Sequence, residues 1–368
     1  MKIAIDIRSA GGEKTGKGWY TFYIVQNLIR LDRENEYILY AKDGIPGFDH
    51  FKNAKLKLIN SHSIFWHRKV ANDVVKEEAE IFFAPNSYII PALLPSYIKS
   101  IITVHDLVAF LFCKTHNKRS TLIEKLFLKS ALKKARRILT VSEHTKLDLL
   151  ERFKKVDRDK VDTIYCAASE EFQPISRADL VNFAKETNLP EKFFLAVGTL
   201  EPRKNYPNLI TAFHQVSEKF PDHHLIIVGQ KGWAYEEIYE KTFPFHLGKK
   251  VHLLGYLSNR SLVKLYNLAK ALVFSSFYEG FGMPPLEAMQ SGCPVICSNT
   301  SSLPEVVGDS ALLVNPESHF EIAGAMMKLI KDENLGRILR QKGLNQAQKF
   351  SWKTSAEKLL AIINGMQG

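Results

Sequence analysis

The sequence predicts an α/β protein made of two doubly wound domains. Strand-like apolar segments alternate with amphipathic helical segments, as in parallel sheets that are covered by helices. This alternation runs twice and is interrupted by a polar passage at 170–190 that has no strand pattern. The chain has 368 residues, more than one hydrophobic core usually serves. A cleft between the two domains is therefore the expected binding place for a large, two-part ligand.

The composition is that of an ordinary globular protein, with 45% hydrophobic and 24% charged residues. No apolar run approaches the ~20 residues that span a bilayer, and no apolar signal segment follows Met1. The four cysteines lack zinc-site spacing, which predicts reduced core thiols and no metal site. They are Cys113, Cys166, Cys293 and Cys297. We expect a cytoplasmic protein, either soluble or peripheral at the inner face of the plasma membrane.

The net charge of +11 is concentrated in one segment, 111–160, which holds 15 basic and 6 acidic residues. Apolar residues recur there at helical spacing, at Leu122, Ile123, Leu126, Phe127, Ala131 and Leu132. Basic residues fall on another face, at Lys125, Lys129, Lys133 and Arg136. Such a helix either lies on an anionic membrane surface or covers a sheet with its basic side in water. No recognisable nucleic-acid motif accompanies the charge, so we expect no nucleic-acid partner.

The first half opens with the strand Lys2 to Asp6, followed by a loop rich in glycine. Gly11, Gly12, Gly16 and Gly18 stand in this loop. A helix is predicted from about Trp19, and its apolar face is Phe22, Ile24, Val25, Leu28 and Ile29. A strand, a glycine loop and a helix N-terminus can together bind a diphosphate, because backbone N–H groups approach it closely. A plain connecting loop is the alternative.

Further strands are predicted at regular intervals through the first half. They are Tyr37–Ala41, Leu56–Ile59, Ile81–Pro85, Ser100–Asp106, Arg137–Ser142 and Val161–Cys166. His105 and Asp106 end one of these strands, and in a parallel sheet the carboxyl ends of strands form the ligand-binding edge. His105 is either a structural hydrogen-bonding residue or part of a site shared with the glycine loop.

The second half repeats the alternation of strands and helices. Its predicted strands are Phe193–Thr199, Leu225–Gly229, Val251–Tyr256, Ala271–Ser276, Pro294–Ser298 and Ala311–Val314. Arg203 and Lys204 follow the first of these strands and precede a helix. An arginine fork and a mobile lysine charge at that place can neutralise a diphosphate, although a solvated basic pair has the same pattern.

Two glutamates, Glu279 and Glu287, stand eight positions apart after the strand ALVFSS. Gly280 and Gly282 allow positive φ, and Pro284 begins a helix. We expect Glu279 at the exit of the strand and Glu287 in the first turn of the helix, where the helix dipole would keep it ionised. Ionised carboxylates accept hydrogen bonds from hydroxyl groups such as those of sugars. The alternative is an ordinary helix-end acid and a solvated loop acid.

Several stretches closely resemble glycosyltransferase family 4. They are GTLEPRKN, LIIVGQKGW, YEGFGMPPLEAM, SGCPVICSNTSSLPEVVGDSALLVNP and FSW, and the likeness is nearly continuous from Phe193 to Trp352. In the first half the likeness is looser and rests on GKGWYT, TVHDL and VSEHTK. The resemblance implies a GT-B fold, with two Rossmann-like domains that face a central cleft. It places an acceptor-side domain at 1–172, joined by a returning helix at 351–368, and a nucleotide-sugar domain at 173–350.

The resemblance also implies the roles of individual residues. Glu279 would hold donor-sugar hydroxyls together with the backbone of Gly280, Phe281 and Gly282. Glu287 would bind the ribose, and Arg203 and Lys204 would bind the diphosphate and stabilise its departure. Gly16 and Gly18 would face the phosphates, and His105 would lie near the reacting face of the sugar. The family implies metal-independent, retaining transfer and no cofactor.

The sequences of two motifs, GTLEPRKN and EGFGMPPLEAM, resemble those of the family branch that is rich in bacterial mannosyl- and rhamnosyltransferases. GDP-mannose is therefore the expected donor, and a glycan or lipid-linked saccharide in cell-surface polysaccharide or lipopolysaccharide synthesis is the expected acceptor. A dTDP- or UDP-sugar donor is the alternative, as is a nucleotide-sugar epimerase or a non-catalytic sensor. The segment IYCAASEEF lacks the glycine turn that many family members have at this place, so the acceptor contacts are open.

Overall fold

The computed structural model describes residues 1–61, 63–112, 118–232 and 248–366. The chain divides into two compact units. The first unit is Met1–Cys166 with Ser351–Gly368, and the second unit is Ala167–Phe350. Residues 167–172, which the sequence assigned to the first domain, pack within the second unit. The Phe172 ring meets the Tyr266 ring edge-on at 5.9 Å, and the Gln290 amide donates to the Ser169 carbonyl at 2.7 Å.

The first unit is built on a seven-stranded parallel sheet in the order β3-β2-β1-β4-β5-β6-β7. Its strands are β1 Lys2–Asp6, β2 Glu36–Ala41, β3 Ala54–Leu58, β4 Ile81–Ala84, β5 Lys99–Val104, β6 Arg137–Thr140 and β7 Val161–Thr163. Its helices before residue 167 are α1 Gly16–Leu31, α2 Ser63–Lys76, α3 Ile89–Leu93, α4 Val108–Leu111, α5 Lys118–Lys134 and α6 Glu143–Arg152. Strand β4 is fully buried and β5 is buried after its first residue, which explains why apolar residues dominate both strands.

The second unit has a six-stranded parallel sheet in the order β10-β9-β8-β11-β12-β13. Its strands are β8 Phe193–Val197, β9 His224–Val228, β10 Val251–Leu253, β11 Leu272–Phe274, β12 Val295–Ser298 and β13 Ala311–Val314. Its described helices are α7 Arg177–Thr187, α8 Tyr206–Lys219, α9 Asn259–Leu268, α10 Met283–Gln290, α11 Leu303–Val307, α12 His319–Lys331 and α13 Glu333–Ala347. Two parallel α/β domains are thus confirmed.

The last helix, α14 Trp352–Asn364, belongs to the first unit. Its Trp352 ring packs against the rings of Tyr20 and Tyr23 on α1, at centroid distances of 5.8 and 5.7 Å. The Ser355 hydroxyl donates to the Tyr165 carbonyl at 2.7 Å. Aromatic stacking and this hydrogen bond hold the end of the chain on α1.

The start and buried face of α1 differ from the prediction. The helix begins at Gly16, three residues earlier than expected, so the last two glycines of the loop are already helical. Tyr20 is buried, whereas Phe22 is only partly buried. Tyr20, Ile24 and Leu28 lie four residues apart on one helical line toward the core. Phe22 points to the side and meets the Phe48 ring edge-on at 5.5 Å.

The basic helix α5 is also rotated relative to the prediction. Its buried stripe in the described part is Leu128, Ala131 and Leu132, continued by Ala135 after the helix. Leu126, which we expected on that stripe, is 62% exposed. The basic residues Lys125, Lys129, Lys133 and Arg136 are exposed as predicted. The side chains of Leu122 and Ile123 and the whole of Cys113 lie outside the described residues.

The other three cysteines, Cys166, Cys293 and Cys297, are buried free thiols. Burial raises the pKa of each thiol, so all three are protonated and inert near neutral pH. Among the helices that the structure describes, none is long and apolar enough to cross a bilayer.

Candidate active site

The charged residues of the second unit meet where its strand order reverses. Strand β8 continues to β9 on one side of the sheet, and its other neighbour, β11, continues to β12 on the opposite side. At such a point the two following loops separate and leave a crevice at the carboxyl ends of the strands. The loop after β8 carries Arg203 and Lys204 in the short 3-10 turn Pro202–Lys204. The loop after β11 carries Glu279.

Arg203, Lys204 and Glu279 are in direct contact. The Lys204 Nζ atom lies 2.7 Å from Glu279 Oε1, and the Arg203 Nη1 atom lies 2.8 Å from Glu279 Oε2. Each of the three side chains is 11–15% exposed, so water screens the contacts little. The Lys204 ammonium also stands 4.8 Å above the centre of the Phe274 ring. Both carboxylate oxygens are thus occupied by cations.

This arrangement sets the charge of each group. Burial alone favours the protonated form of Glu279, but Arg203 and Lys204 outweigh it and hold the pKa of its carboxyl at about 2. Burial lowers the pKa of Lys204, and the Glu279 carboxylate opposes that change. Glu279 is therefore an ionised hydrogen-bond acceptor at every physiological pH.

Glu201 is a member of the cluster that the sequence did not single out. Its Oε1 atom lies 2.5 Å from Arg203 Nη2, while Arg203 Nη1 also donates to the Tyr278 carbonyl at 2.6 Å. The guanidinium is therefore fixed from three sides. Glu201 stands only two residues before Arg203, and that spacing was the one available signal. The two cations of the cluster thus lie against two glutamate side chains, Glu201 and Glu279.

Serine side chains hold the loop that carries Glu279. The Ser301 hydroxyl accepts from the Glu279 N–H at 3.0 Å, and the Ser302 hydroxyl contacts the carbonyls of Glu279 and Phe281 at 2.9 and 2.8 Å. Gly282 has a φ of 113° immediately before α10. A Cβ atom there would lie 2.7 Å from Leu303, so only glycine fits. Gly280, which could also have taken a positive φ, does not adopt one.

Glu287 corrects a prediction. It is the fifth residue of α10, in the second helical turn, so the helix N-terminus does not hold it ionised. Burial raises the pKa of its carboxyl to about 7, although a hydrogen bond from Tyr266 opposes the rise. The Tyr266 hydroxyl donates to Glu287 Oε2 at 3.1 Å. Glu279 and Glu287, which look alike in the sequence, therefore differ strongly in acidity.

In the first unit, the glycine loop leads into the N-terminus of α1. No side chain of the described residues caps this end, and the first turn contains no acidic residue. A Cβ atom added to Gly18 would lie 2.6 Å from the Ser9 carbonyl oxygen, whereas one added to Gly16 would meet open space. Gly18 therefore permits close backbone packing, and Gly16 leaves the helix end accessible. Such an end attracts anions.

His105 lies beside this helix, at the carboxyl end of β5. Its Nε2 atom is 2.7 Å from the Pro85 carbonyl, and its ring meets Tyr20 of α1 edge-on at 4.8 Å. Burial and the nearby Lys17 ammonium lower the pKa of the imidazole to about 4. The ring is therefore neutral at pH 7. Because a carbonyl only accepts, Nε2 carries the proton and Nδ1 is left as an acceptor. Lys17 also lies 3.1 Å from Asp106.

The structure brings several of the predicted site residues together within each unit, whereas Glu287 accepts its hydrogen bond from Tyr266. Arg203, Lys204 and Glu279 touch in the second unit, and α1 contacts His105 and Asp106 in the first. Over the ranges that the structure describes, no group of three or more histidine, cysteine, aspartate or glutamate side chains could hold a metal ion.

Two parallel α/β sheets, with a cation–carboxylate cluster where the strand order of the second sheet reverses, match solved glycosyltransferase structures of the GT-B fold. The model of the glycosyl transferases group 1 matches residues 179–349, and that of Glycosyltransferase Family 4 matches residues 16–172. O-antigen chain mannosyltransferase B of Escherichia coli is 32% identical over 96% of this chain and 97% of its own length. The chain belongs to glycosyltransferase family 4.

Other relatives and solved structures agree with this family. Mannosylfructose-phosphate synthase of Agrobacterium fabrum is 31% identical over 53% of this chain and 45% of its own. The structure of Anabaena HepE with UDP-glucose superposes with a TM-score of 0.82 at 16% identity, covering both chains completely. WaaG, a glycosyltransferase of lipopolysaccharide biosynthesis, has a TM-score of 0.76 at 15% identity over both whole chains. These structural matches show the fold.

Proposed function

We propose that this glycosyltransferase moves mannose from GDP-mannose to a glycan or lipid-linked saccharide acceptor in cell-surface polysaccharide synthesis. The observation that carries the proposal is the contact cluster of Arg203, Lys204 and Glu279. It offers two fixed cations for a diphosphate and one fixed acceptor for sugar hydroxyls. The E. coli relative that matches almost the whole chain is an O-antigen mannosyltransferase, which supports mannose as the sugar.

The reaction breaks the bond between the anomeric carbon of the sugar and the diphosphate oxygen. A new bond forms from that carbon to an acceptor hydroxyl oxygen, and the hydroxyl proton passes to the departing diphosphate. Negative charge grows on the diphosphate as positive charge grows at the anomeric carbon. Cations that are already held in place stabilise this charge without reorganisation, which is the largest catalytic effect in many enzymes. Attack from the face of the leaving group retains the configuration.

Each site residue has a role in this proposal. Arg203 and Lys204 bind the diphosphate and support its departure, and the always ionised Glu279 accepts from the sugar hydroxyls. The backbone of Gly280, Phe281 and Gly282 shapes the sugar site. In the first unit, the open helix end at Gly16 and Gly18 faces donor phosphate. His105, a neutral acceptor at Nδ1, lies near the reacting face of the sugar.

The nucleoside that we propose for the donor follows from the role of Glu287. A carboxylate that accepts from both ribose hydroxyls favours GDP and UDP over dTDP, whose deoxyribose lacks the 2′-hydroxyl. Among donors, this favours a GDP- or UDP-sugar. The mannosyltransferase relatives then favour the GDP-sugar.

Product analysis with labelled donors tests the proposal. The full chain is incubated with GDP-mannose, UDP-glucose or dTDP-rhamnose, with and without a lipid-linked saccharide acceptor. We expect mannose transfer to the acceptor from GDP-mannose, with one nucleoside diphosphate released per sugar transferred. Conversion of the donor to its epimer without acceptor would instead establish an epimerase, and donor binding without any turnover would establish a sensor.

We also propose that the basic face of α5 attaches the enzyme to an anionic membrane surface on the cytoplasmic side. Lys125, Lys129 and Lys133 are exposed, and the exposed Leu126 lies among them. Lipid headgroups attract the charges, and the leucine can enter the interface. Sedimentation with phosphatidylglycerol vesicles should fall for K125E/K129E and persist for the matched pair K154E/K155E, which changes exposed lysines outside α5. Equal losses in both pairs would contradict a specific role of α5.

A further inference from the structure

Tyr266 is a buried residue of α9 to which the proposed function gives no role. Its side chain is fully buried, and its hydroxyl donates to Glu287 Oε2 at 3.1 Å. We infer that Tyr266 is a positioning residue for nucleoside recognition, which holds Glu287 so that its other oxygen, Oε1, faces the ribose. The inference rests on the proposed role of Glu287 in ribose binding.

The two oxygens of the Glu287 carboxyl differ in their contacts. Oε2 accepts from Tyr266, while Oε1 accepts no hydrogen bond from any residue that the structure describes. The residue is partly exposed, so Oε1 can reach a ligand. A carboxylate accepts several hydrogen bonds, so the bond from Tyr266 leaves capacity for two ribose hydroxyls.

The position of Tyr266 is itself fixed by the segment that enters the second unit. The Phe172 ring packs edge-on against the Tyr266 ring at 5.9 Å. The next residue along α9, Asn267, donates to the Gln173 carbonyl at 3.0 Å and accepts from the Ile175 N–H at 2.9 Å. These contacts keep the phenol ring from turning, because each rotation would break aromatic packing in a closed interior.

The same segment is tied to the helix that carries Glu287. The Gln290 amide on α10 donates to the Ser169 carbonyl at 2.7 Å. Helices α9 and α10 are therefore joined directly by the hydrogen bond from Tyr266 to Glu287. They are also joined indirectly, because both helices form hydrogen bonds with residues 169–175. Because these contacts fix the two helices, the Tyr266 hydroxyl is held in the position from which it donates to Glu287.

The hydrogen bond also bears on the charge of Glu287. Burial raises the pKa of the Glu287 carboxyl to about 7, and the bond from Tyr266 favours the ionised form. Burial and the nearby Glu287 charge raise the pKa of Tyr266 well above its ordinary value, so the phenol remains a neutral donor. Loss of the hydroxyl should therefore leave more Glu287 protonated at pH 7.

Other titratable groups lie near this pair. Cys293 and Tyr206 lie near Tyr266, and burial raises the pKa of both, so they are neutral. Of the helices that pack against α10, α13 carries Arg340, whose guanidinium lies against Gly292, and α11 carries Glu305. Of the protein groups named here, Glu287 is the one whose pKa lies at about 7, so we expect its ionisation to change the affinity for nucleotide near pH 7.

The test measures GDP binding calorimetrically from pH 6 to 9 for the full-length wild type, Y266F, E287Q and the double variant. For the wild type we expect affinity to rise with pH through about 7 as Glu287 ionises. Y266F should bind roughly tenfold more weakly at pH 7, with its midpoint about one pH unit higher. The difference in Kd between Y266F and the wild type should become smaller toward pH 9. Ionisations of GDP itself are common to all variants and cancel in the ratios of Kd.

The double variant separates positioning from general damage. If Tyr266 acts through Glu287, Y266F should cause no further loss in the E287Q background. Y40F is the matched control, because it removes another buried tyrosine hydroxyl that donates to a carboxylate, Asp73, in the first unit. It should leave the Kd and the pH midpoint unchanged.

Three outcomes would overturn the inference. Y266F could bind GDP as the wild type does while E287Q is impaired. It could lose affinity equally at all pH values, or lose it equally in the E287Q background, both of which indicate structural damage. A separate result, wild-type GDP affinity in E287Q, would instead remove Glu287 from the ribose site and overturn that part of the proposed function.

Discussion

The carboxyl edges of the two sheets carry different chemical groups. In the second unit, the side chains of Arg203, Lys204 and Glu279 are largely buried and in direct contact as two ion pairs. In the first unit, the corresponding edge presents the neutral His105 and a helix end that no side chain caps among the residues the structure describes. Largely buried charges in mutual contact thus distinguish the edge of the second unit, whereas the first unit places backbone donors beside the more exposed ion pair of Lys17 and Asp106. We therefore expect removal of a single side chain to lower activity most in the second unit. In the first unit, we expect the larger effects from substitutions that add a side chain to a glycine.

The largest effect is expected from Lys204→Ala. The variant removes a buried cation whose partner is Glu279, and turnover should fall by roughly 10²–10³-fold with weakened nucleoside diphosphate binding. Steady-state release of the nucleoside diphosphate measures the loss. Lys192→Ala is the control, because Lys192 also pairs with a carboxylate, Asp222, but is 53% exposed. Unchanged kinetics in Lys204→Ala would remove this residue from the site.

A smaller effect is expected from Glu287→Ala on nucleoside choice. The wild type should prefer GDP to 2′-deoxy-GDP by roughly tenfold, because the carboxylate accepts from the missing hydroxyl. The variant should lose most of this preference, and it should lose nucleoside affinity more than sugar selectivity. Competition binding with the two nucleotides measures the ratio. Glu317→Ala changes an exposed glutamate of the same unit and should keep the wild-type ratio. A preference that survives in Glu287→Ala would place the ribose elsewhere.

The first unit is tested by two glycine substitutions. Gly18→Ala places a Cβ atom 2.6 Å from the Ser9 carbonyl oxygen and should destabilise the protein by about 1–3 kcal/mol. Gly16→Ala meets open space, so its Tm should not fall, yet it should weaken donor binding severalfold if phosphate approaches there. Thermal unfolding and donor titration separate these effects. Gly336→Ala, also in open space on a helix, is the control. Full donor affinity in Gly16→Ala would exclude a phosphate contact at this residue.

The smallest effects are changes of a few degrees in Tm, with opposite signs for the two glutamates. The pKa of Glu279 falls on folding, so its stabilisation is present above pH 4.5 and is lost as pH falls toward about 2. Glu279→Gln should therefore lower Tm at pH 7 and matter less at pH 3. The pKa of Glu287 rises on folding, so its ionisation opposes folding as pH rises toward about 7.

Glu287→Gln should accordingly raise Tm at pH 8 and have little effect at pH 4. Differential scanning calorimetry across this range measures both variants against the wild type. Shifts of the same sign in both would show that the two carboxyl groups share one environment.

Much of the fold could be predicted from the sequence. The strands are three to six residues long, and most lie where an apolar run stands between turns. Such runs are expected because a strand that is buried on both faces of a parallel sheet is apolar along most of its length. Rotation of helices was harder to predict. Leu126 is exposed and Leu128 is buried, and Tyr20 takes the core place expected of Phe22. A shift of one or two residues turns a helix by 100–200°, and amphipathic stripes this short leave such shifts open.

The family could also be predicted from the sequence. The residues Arg203, Lys204, Glu279 and Glu287 stand in two of the short, distinctive stretches on which that prediction rests. Glu201 was missed, because a glutamate two residues from an arginine is common in loops and becomes informative only when both side chains turn inward. Tyr266 was missed for another reason. It belongs to an ordinary amphipathic helix, where a tyrosine predicts only burial.

The sequence by itself thus determined the two parallel sheets, the family and the identity of the charged groups. Only the tertiary structure decided how those groups pair and which of them are ionised. Lys204 reaches Glu279 across 75 positions, and Tyr266 reaches Glu287 across 21. The acidity of a carboxyl group depends on its burial and on such distant neighbours, so two glutamates eight residues apart have pKa values of about 2 and about 7.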